Sequence, residues 1–258
     1  MPLFDPFLLL DRFGSSNPED YLAGFPWHPH RGIETVTYVL EGQVEHGDTL
    51  GNEGVIGSGD VQWMNSGSGI IHQEMPKRSE GTMSGFQLWV NLPAREKMSV
   101  PAYRGLTRSD FPEVTTDGGS HVKVIAGSYG GAEGPVKGIS VDPTYLDVTV
   151  PPGSSLELAT NPGYTAFAHA ITGNVRFDGS DDRAVSAGET ALFGPGGPVR
   201  AHALEAVARF LLVSGRPLHE PVSWYGPIVM NTREELIEAM RELKGGEFVK
   251  HRQPIVEE

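Results

Sequence analysis

Two short patterns in this chain could do chemistry. His28-Pro29-His30 places histidines at i and i+2, and His72-Gln73-Glu74 places a histidine and a carboxylate at the same spacing. On an extended strand, residues two apart face the same side. Each pattern therefore aims two donor groups at one point, and two such strands side by side would surround one cavity with four N/O ligands. Glu34 shares the parity of His28 and His30, provided the extended geometry survives Gly32. The chain has no cysteine, so thiolate ligands, thiol nucleophiles and disulfides are excluded together. Imidazole and carboxylate suit one divalent transition ion: iron, manganese, cobalt, nickel, copper or zinc. A lone histidine on a strand is more often a polar core or surface residue. His46, His121, His219 and His251 stand alone in this way and are given ordinary structural roles.

These donors need strands to hold them, and the sequence reads mostly as strands. Thr35 to Leu40, Val61 to Met64 and Phe86 to Val90 are rich in β-branched or aromatic residues and end at turn residues. Leu146 to Val150, Thr165 to Ile171, Thr190 to Phe193 and Ala208 to Val213 repeat the pattern. The 33 glycines and 20 prolines are too many for a helical bundle and read as turns between short strands. One helix is expected after Asn231, where Thr232 and Glu235 form a capping box, Leu236, Met240 and Leu243 recur at helical spacing, and Gly245-Gly246 stops it.

The chain also repeats itself. His28 to Gly42 lies over Ala159 to Gly173 without gaps, with Gly32 on Gly163 and Gly42 on Gly173. Two copies of one β-unit account for the length of 258 residues. The second copy has Ala159 and Asn161 where the first has its histidine pair, and Ala201 and Ala203 where the first has His72 and Glu74. His202 is one residue out of register, and His169 aligns with Tyr38. The expected division is a metal-binding unit over 1–110, a unit over 120–230 without ligands, and a helix and tail over 231–258. Arg104 to Ser120 is polar and turn-rich and reads as the link.

Composition restricts the partners. With 20 Lys+Arg against 33 Asp+Glu, the net charge is −13 and no basic run appears. Direct nucleic-acid contact and an anionic membrane surface are both disfavoured. The start, Met1-Pro2-Leu3-Phe4-Asp5, is not basic, and the apolar run Phe7 to Leu10 is short for a signal peptide or a span. A cytoplasmic location is expected.

A duplicated β-barrel with His-x-His on one strand and a later histidine resembles the cupin pattern. Four longer stretches are similar to one family, the pirins: His28 to Gly42, Gly59 to Met75, Gly85 to Pro93 and Trp224 to Thr232. The resemblance runs from about residue 5 to residue 240. It implies an all-β fold of two cupin (double-stranded β-helix, or jelly-roll) barrels in tandem with a short C-terminal helix. It further implies one metal, usually iron(II), in the N-terminal barrel, held by His28, His30, His72 and Glu74. Glu34 occupies the carboxylate position of the general cupin pattern, which leaves it as a supporting group or an alternative ligand.

The resemblance implies two kinds of function. One is a quercetin 2,3-dioxygenase activity, opening a flavonol ring with O2 and releasing CO, with Glu74 or Glu34 as general base. Phe25, Trp27, Trp63, Met64 and Phe86 are then candidate walls for a flat polyphenol, against the plainer reading that they are core. The other is iron-dependent regulation, exerted through protein partners.

Overall fold

The computed structural model describes residues 3–79, 81–179, 183–194 and 197–251. The described residues form short antiparallel strands, with one helix of more than three turns among them, Arg233–Gly245. It divides into two compact units, Met1–Arg108 with His219–Glu258, and Ser109–Leu218.

The N-terminal segment of the first unit has nine strands among the described residues: β1 (Phe7–Phe13), β2 (Phe25–His30), β3 (Ile33–Glu41), β4 (Gln43–Asp48), β5 (Glu53–Gly57), β6 (Val61–Asn65), β7 (Ile70–Pro76), β8 (Ser84–Asn91) and β9 (Ala102–Leu106). They form a sheet in the order β1-β8-β3-β6-β9 and a second in the order β2-β7-β4-β5. The chain passes between the sheets from β2 to β3 at Arg31-Gly32. Gly32 has φ +77, and a Cβ there would stand 2.0 Å from the Val229 carbonyl oxygen. Only glycine fits that left-handed, crowded position.

The first unit also takes in a hairpin from the far end of the chain, Ser223–Tyr225 with Ile228–Met230, and the helix that follows. Thr232 and Glu235 form the capping box, and Gly246 closes the helix in the left-handed conformation. Ala239 is buried with Ile228, Met230 and Phe248, and Leu236, Met240 and Leu243 pack against them. Residues 219–230 thus sit with the first unit, where the sequence placed them with the second, because Ile228 and Met230 bury against this helix. Residues 252–258 of the expected tail lie outside the described residues.

Among the described residues, the second unit has a six-stranded, a four-stranded and a two-stranded sheet. Its interior is packed with aliphatic and aromatic side chains from both sheets, among them Val148, Leu158, Phe177, Phe210 and Leu212. Ala201 and Ala203 point into this core, while His202 between them points outward to Ser155 and Asp178. The polar stretch from Arg104 is not all link: Arg104 lies on β9 opposite Trp63, and Glu113–Thr115 is a short strand.

Candidate metal centre

Strands β2 and β7 pair so that His28 lies directly opposite His72, with His30 opposite Ile70. His30 is two residues along from His28 on the same face. The three rings meet, with centroids 4.4 Å apart for His28 and His72 and 4.9 Å for each pair with His30. One ring nitrogen from each lies within 4.8 Å of the others. His30 and His72 are buried, and neither of their ring nitrogens has a well-formed hydrogen bond. His28 Nδ1 lies 2.9 Å from the Pro26 carbonyl oxygen, so Nδ1–H donates there and Nε2 keeps its lone pair.

This donor set fits a divalent transition ion. Buried nitrogens without partners are costly unless something takes their lone pairs. A second ring nitrogen donating to a backbone carbonyl, as in His28, is the usual support of a metal-bound histidine. Burial, then the neighbouring His72 and His28, hold His30 well below the ordinary histidine range. Burial, then His28, pushes His72 down to about 3. Neutral imidazole is the ligating form.

Glu74 lies two residues beyond His72 and is buried in the same cavity. Its carboxylate is engaged elsewhere: the Thr37 hydroxyl donates to Oε1 at 2.7 Å and Gln87 Nε2 donates to Oε2 at 2.6 Å. Among the described residues, the group whose donor atoms all lie within 4.8 Å is the three histidines, without Glu74.

Glu34 is not brought to the cluster. It stands opposite Asn65 and Val90, whereas Thr37, which faces the cavity, stands opposite Gln87. Positions 34 and 37 differ in parity, so they lie on opposite faces of the sheet. The turn at Gly32 breaks the parity that Glu34 would have shared with His30. Instead Glu34 accepts a hydrogen bond from Trp63 Nε1 at 3.0 Å. Burial pushes its carboxyl up to about 7, against the Trp63 hydrogen bond and the Arg104 charge.

Between about pH 4.5 and 7 the folded chain therefore keeps a proton that the unfolded chain has released. That contribution to stability is complete below pH 4.5 and is lost as pH rises through 7. Glu34→Gln keeps an acceptor for Trp63 without the charge. It should match the natural protein at pH 4.5 and exceed it at pH 9 by on the order of 3 kcal/mol. Urea unfolding at the two pH values measures this, and an advantage that does not grow with pH refutes it.

His28 and His30 line a cavity of about 520 Å³, within the range of small-molecule sites. Phe25, Trp89, Trp224 and Pro227 supply apolar walls, with Leu9 and Phe13 from β1, and Asp11 adds a carboxylate. Of the sequence candidates, only Phe25 lines this cavity. Trp63, Met64 and Phe86 are buried core, and Trp27 lines a different pocket with Gly47 and Gln73. Trp224, Trp89, Gln87 and Thr37 were missed. Trp224 arrives from a hairpin some 150 residues beyond His72, which periodicity does not reveal. No described helix is long and apolar enough to cross a membrane.

Comparison with known proteins gives a consistent picture. Residues 1–90 match the Pirin family model, and residues 145–249 match the Pirin C-terminal cupin domain. A Pirin-like protein of Caulobacter vibrioides is 48% identical over 95% of this chain and 88% of its own length. A Pseudomonas aeruginosa protein, named provisionally as a quercetin 2,3-dioxygenase, is 44% identical over 94% of this chain and 86% of its own. The crystal structure of quercetin 2,3-dioxygenase from Acinetobacter baumannii superimposes with a TM-score of 0.85 at 34% identity, covering 95% of this chain and 86% of that one.

Proposed function

Because the chain belongs to the pirin family, we propose that it is a metal-dependent dioxygenase resembling quercetin 2,3-dioxygenase. The reaction takes a flavonol and O2 to the ring-opened ester of the two aromatic halves, with release of CO. The observation that carries this reading is the cluster of three imidazoles, two of them buried without a well-formed hydrogen bond, with His28 and His30 lining an aromatic-walled cavity.

His28, His30 and His72 would hold the ion, iron(II) in the first place. When bound, it supplies Lewis acidity toward a substrate hydroxyl and the electron exchange that dioxygen chemistry needs. The chain's own residues do the rest. Phe25, Trp89 and Trp224 offer faces and edges to a flat polyphenol and exclude water from it. Glu74, which lines the same cavity, would accept the proton of the flavonol hydroxyl at a carboxylate oxygen. Glu34 takes no part, since it faces the other side of the sheet.

Protein loaded anaerobically with iron(II), and in parallel with manganese, cobalt, nickel, copper or zinc, is mixed with quercetin and O2. Quercetin consumption with stoichiometric CO is expected for at least one ion. No turnover with any of them overturns the enzymatic reading and leaves the regulatory one.

A further inference from the structure

The hydrogen bonds around Glu74 run in one sense, and each is fixed by chemistry. Trp89 Nε1 can only donate, and it lies 2.8 Å from Gln87 Oε1. That contact sets the orientation of the Gln87 amide. Gln87 Nε2 then directs its two protons to Glu74 Oε2 at 2.6 Å and to Thr37 Oγ1 at 3.1 Å. The Thr37 hydroxyl, having accepted from Gln87, donates to Glu74 Oε1 at 2.7 Å. Both oxygens of one buried carboxylate thus receive charge-assisted bonds, the strong class of hydrogen bond. Trp89 is itself held edge-on to His30, with ring centroids 5.2 Å apart at 86°. The result is a hydrogen-bonded dock that seats the carboxylate outside the donor cluster of the three imidazoles.

We propose that Gln87 is a positioning residue: with Thr37 it forms an off-metal dock for Glu74, and it sets how often that carboxylate becomes a fourth ligand. This rests on the reading of His28, His30 and His72 as the metal site. Two arrangements share the cavity. In one, three nitrogens hold the ion and Glu74 stays in the dock, available to substrate. In the other, Glu74 leaves Thr37 and Gln87 and joins the ligands. Glu74 lies outside the 4.8 Å donor cluster, so drawing it to the ion pulls its oxygens away from Thr37 and Gln87, and weakening the dock favours the second arrangement.

The test is a double-mutant cycle read by cobalt(II) affinity and by the visible absorption of the bound ion. Gln87→Leu should tighten cobalt(II) binding about tenfold, the low end of the worth of a hydrogen bond to a charged group, by releasing Glu74 to the metal, and should change the absorption band. In a Glu74→Gln background the same Gln87→Leu change should leave affinity and spectrum unchanged. A merely structural effect of losing the Trp89 partner would appear equally in both backgrounds. Thr37→Val, which removes the other docking bond, should act in the same direction as Gln87→Leu. Weaker or unchanged binding in both Gln87→Leu and Thr37→Val, or equal effects with and without Glu74, overturns the dock. If His72→Ala binds cobalt(II) as well as the natural protein, the metal site itself is misassigned, and the dock falls with it.

Discussion

His72→Ala protein should bind a divalent ion more than about 100-fold more weakly than the natural chain and show no measurable flavonol ring opening. The scale follows from ligand chemistry: loss of a mere supporting partner of a metal-bound histidine typically costs about 10–100-fold in affinity, and loss of a ligand exceeds that. His72 is central to the cluster, since its ring is nearest that of His28 and it stands directly opposite it in the strand register. Removing it leaves two nitrogens, one from each end of His28-Pro29-His30, and an apolar hole where the third lone pair stood. His169→Ala is the control. His169 lies on a strand of the other unit, with Nδ1 2.8 Å from Thr190 Oγ1, and its loss should leave metal content unchanged. Elemental analysis of the purified proteins and titration with iron(II) or cobalt(II) measure both. Stoichiometric metal in His72→Ala, or loss of metal only in His169→Ala, sinks the assignment.

The histidine cluster was legible because it depends on strand parity alone. His28 and His30 share a strand, and the pairing of β2 with β7 does the rest. The core of the second unit followed from the same rule, with Ala201 and Ala203 inward and His202 outward. Parity misled wherever the backbone leaves regular extension. At Gly32 the chain turns into another sheet, and Glu34 goes to the opposite face from Thr37. Between Phe25 and His28 the register shifts, so both line the cavity although they are three residues apart. Trp63 and Phe86 read as pocket walls by composition, but they stand opposite Val36 and Tyr38 on the core face of β3. Trp89 and Gln87, two residues apart on β8, face the cavity instead. Which face a strand turns to the site is set by pairing across the sheet, and a single strand's sequence does not contain that.

Glu242→Leu should lower stability by about 3 kcal/mol, the low end of the cost of removing one partner of a buried ion pair. Arg31 is 2% exposed, directly follows His30, and lies 2.7 Å from Glu242 on the C-terminal helix. Glu242 also pairs with Lys250 Nζ at 2.7 Å through its other oxygen, so its carboxylate joins two cations. Without Glu242 the guanidinium stays buried with the Phe248 carbonyl at 2.9 Å and the Phe248 ring at 4.3 Å, which soften the loss without neutralising the charge. Arg31→Met in the same chain removes the stranded charge, and the double variant should recover most of the loss. The consequence reaches the cavity through the backbone. Val229 N donates to the Arg31 carbonyl at 3.0 Å, and Lys97 Nζ ties Gly32 to Val229 through their carbonyl oxygens. These bonds anchor the hairpin that carries Trp224 and Pro227 to the mouth of the cavity. Loosening the helix beneath it should therefore raise KM for an aromatic substrate more than it lowers kcat, and should leave metal content equal to that of the natural chain. Urea unfolding and steady-state kinetics measure the two effects separately. A Glu242→Leu protein within about 0.5 kcal/mol of the natural one, the scatter expected for a surface change, would mean that the apolar packing of Ala239, Met240 and Phe248 holds the helix without the ion pair.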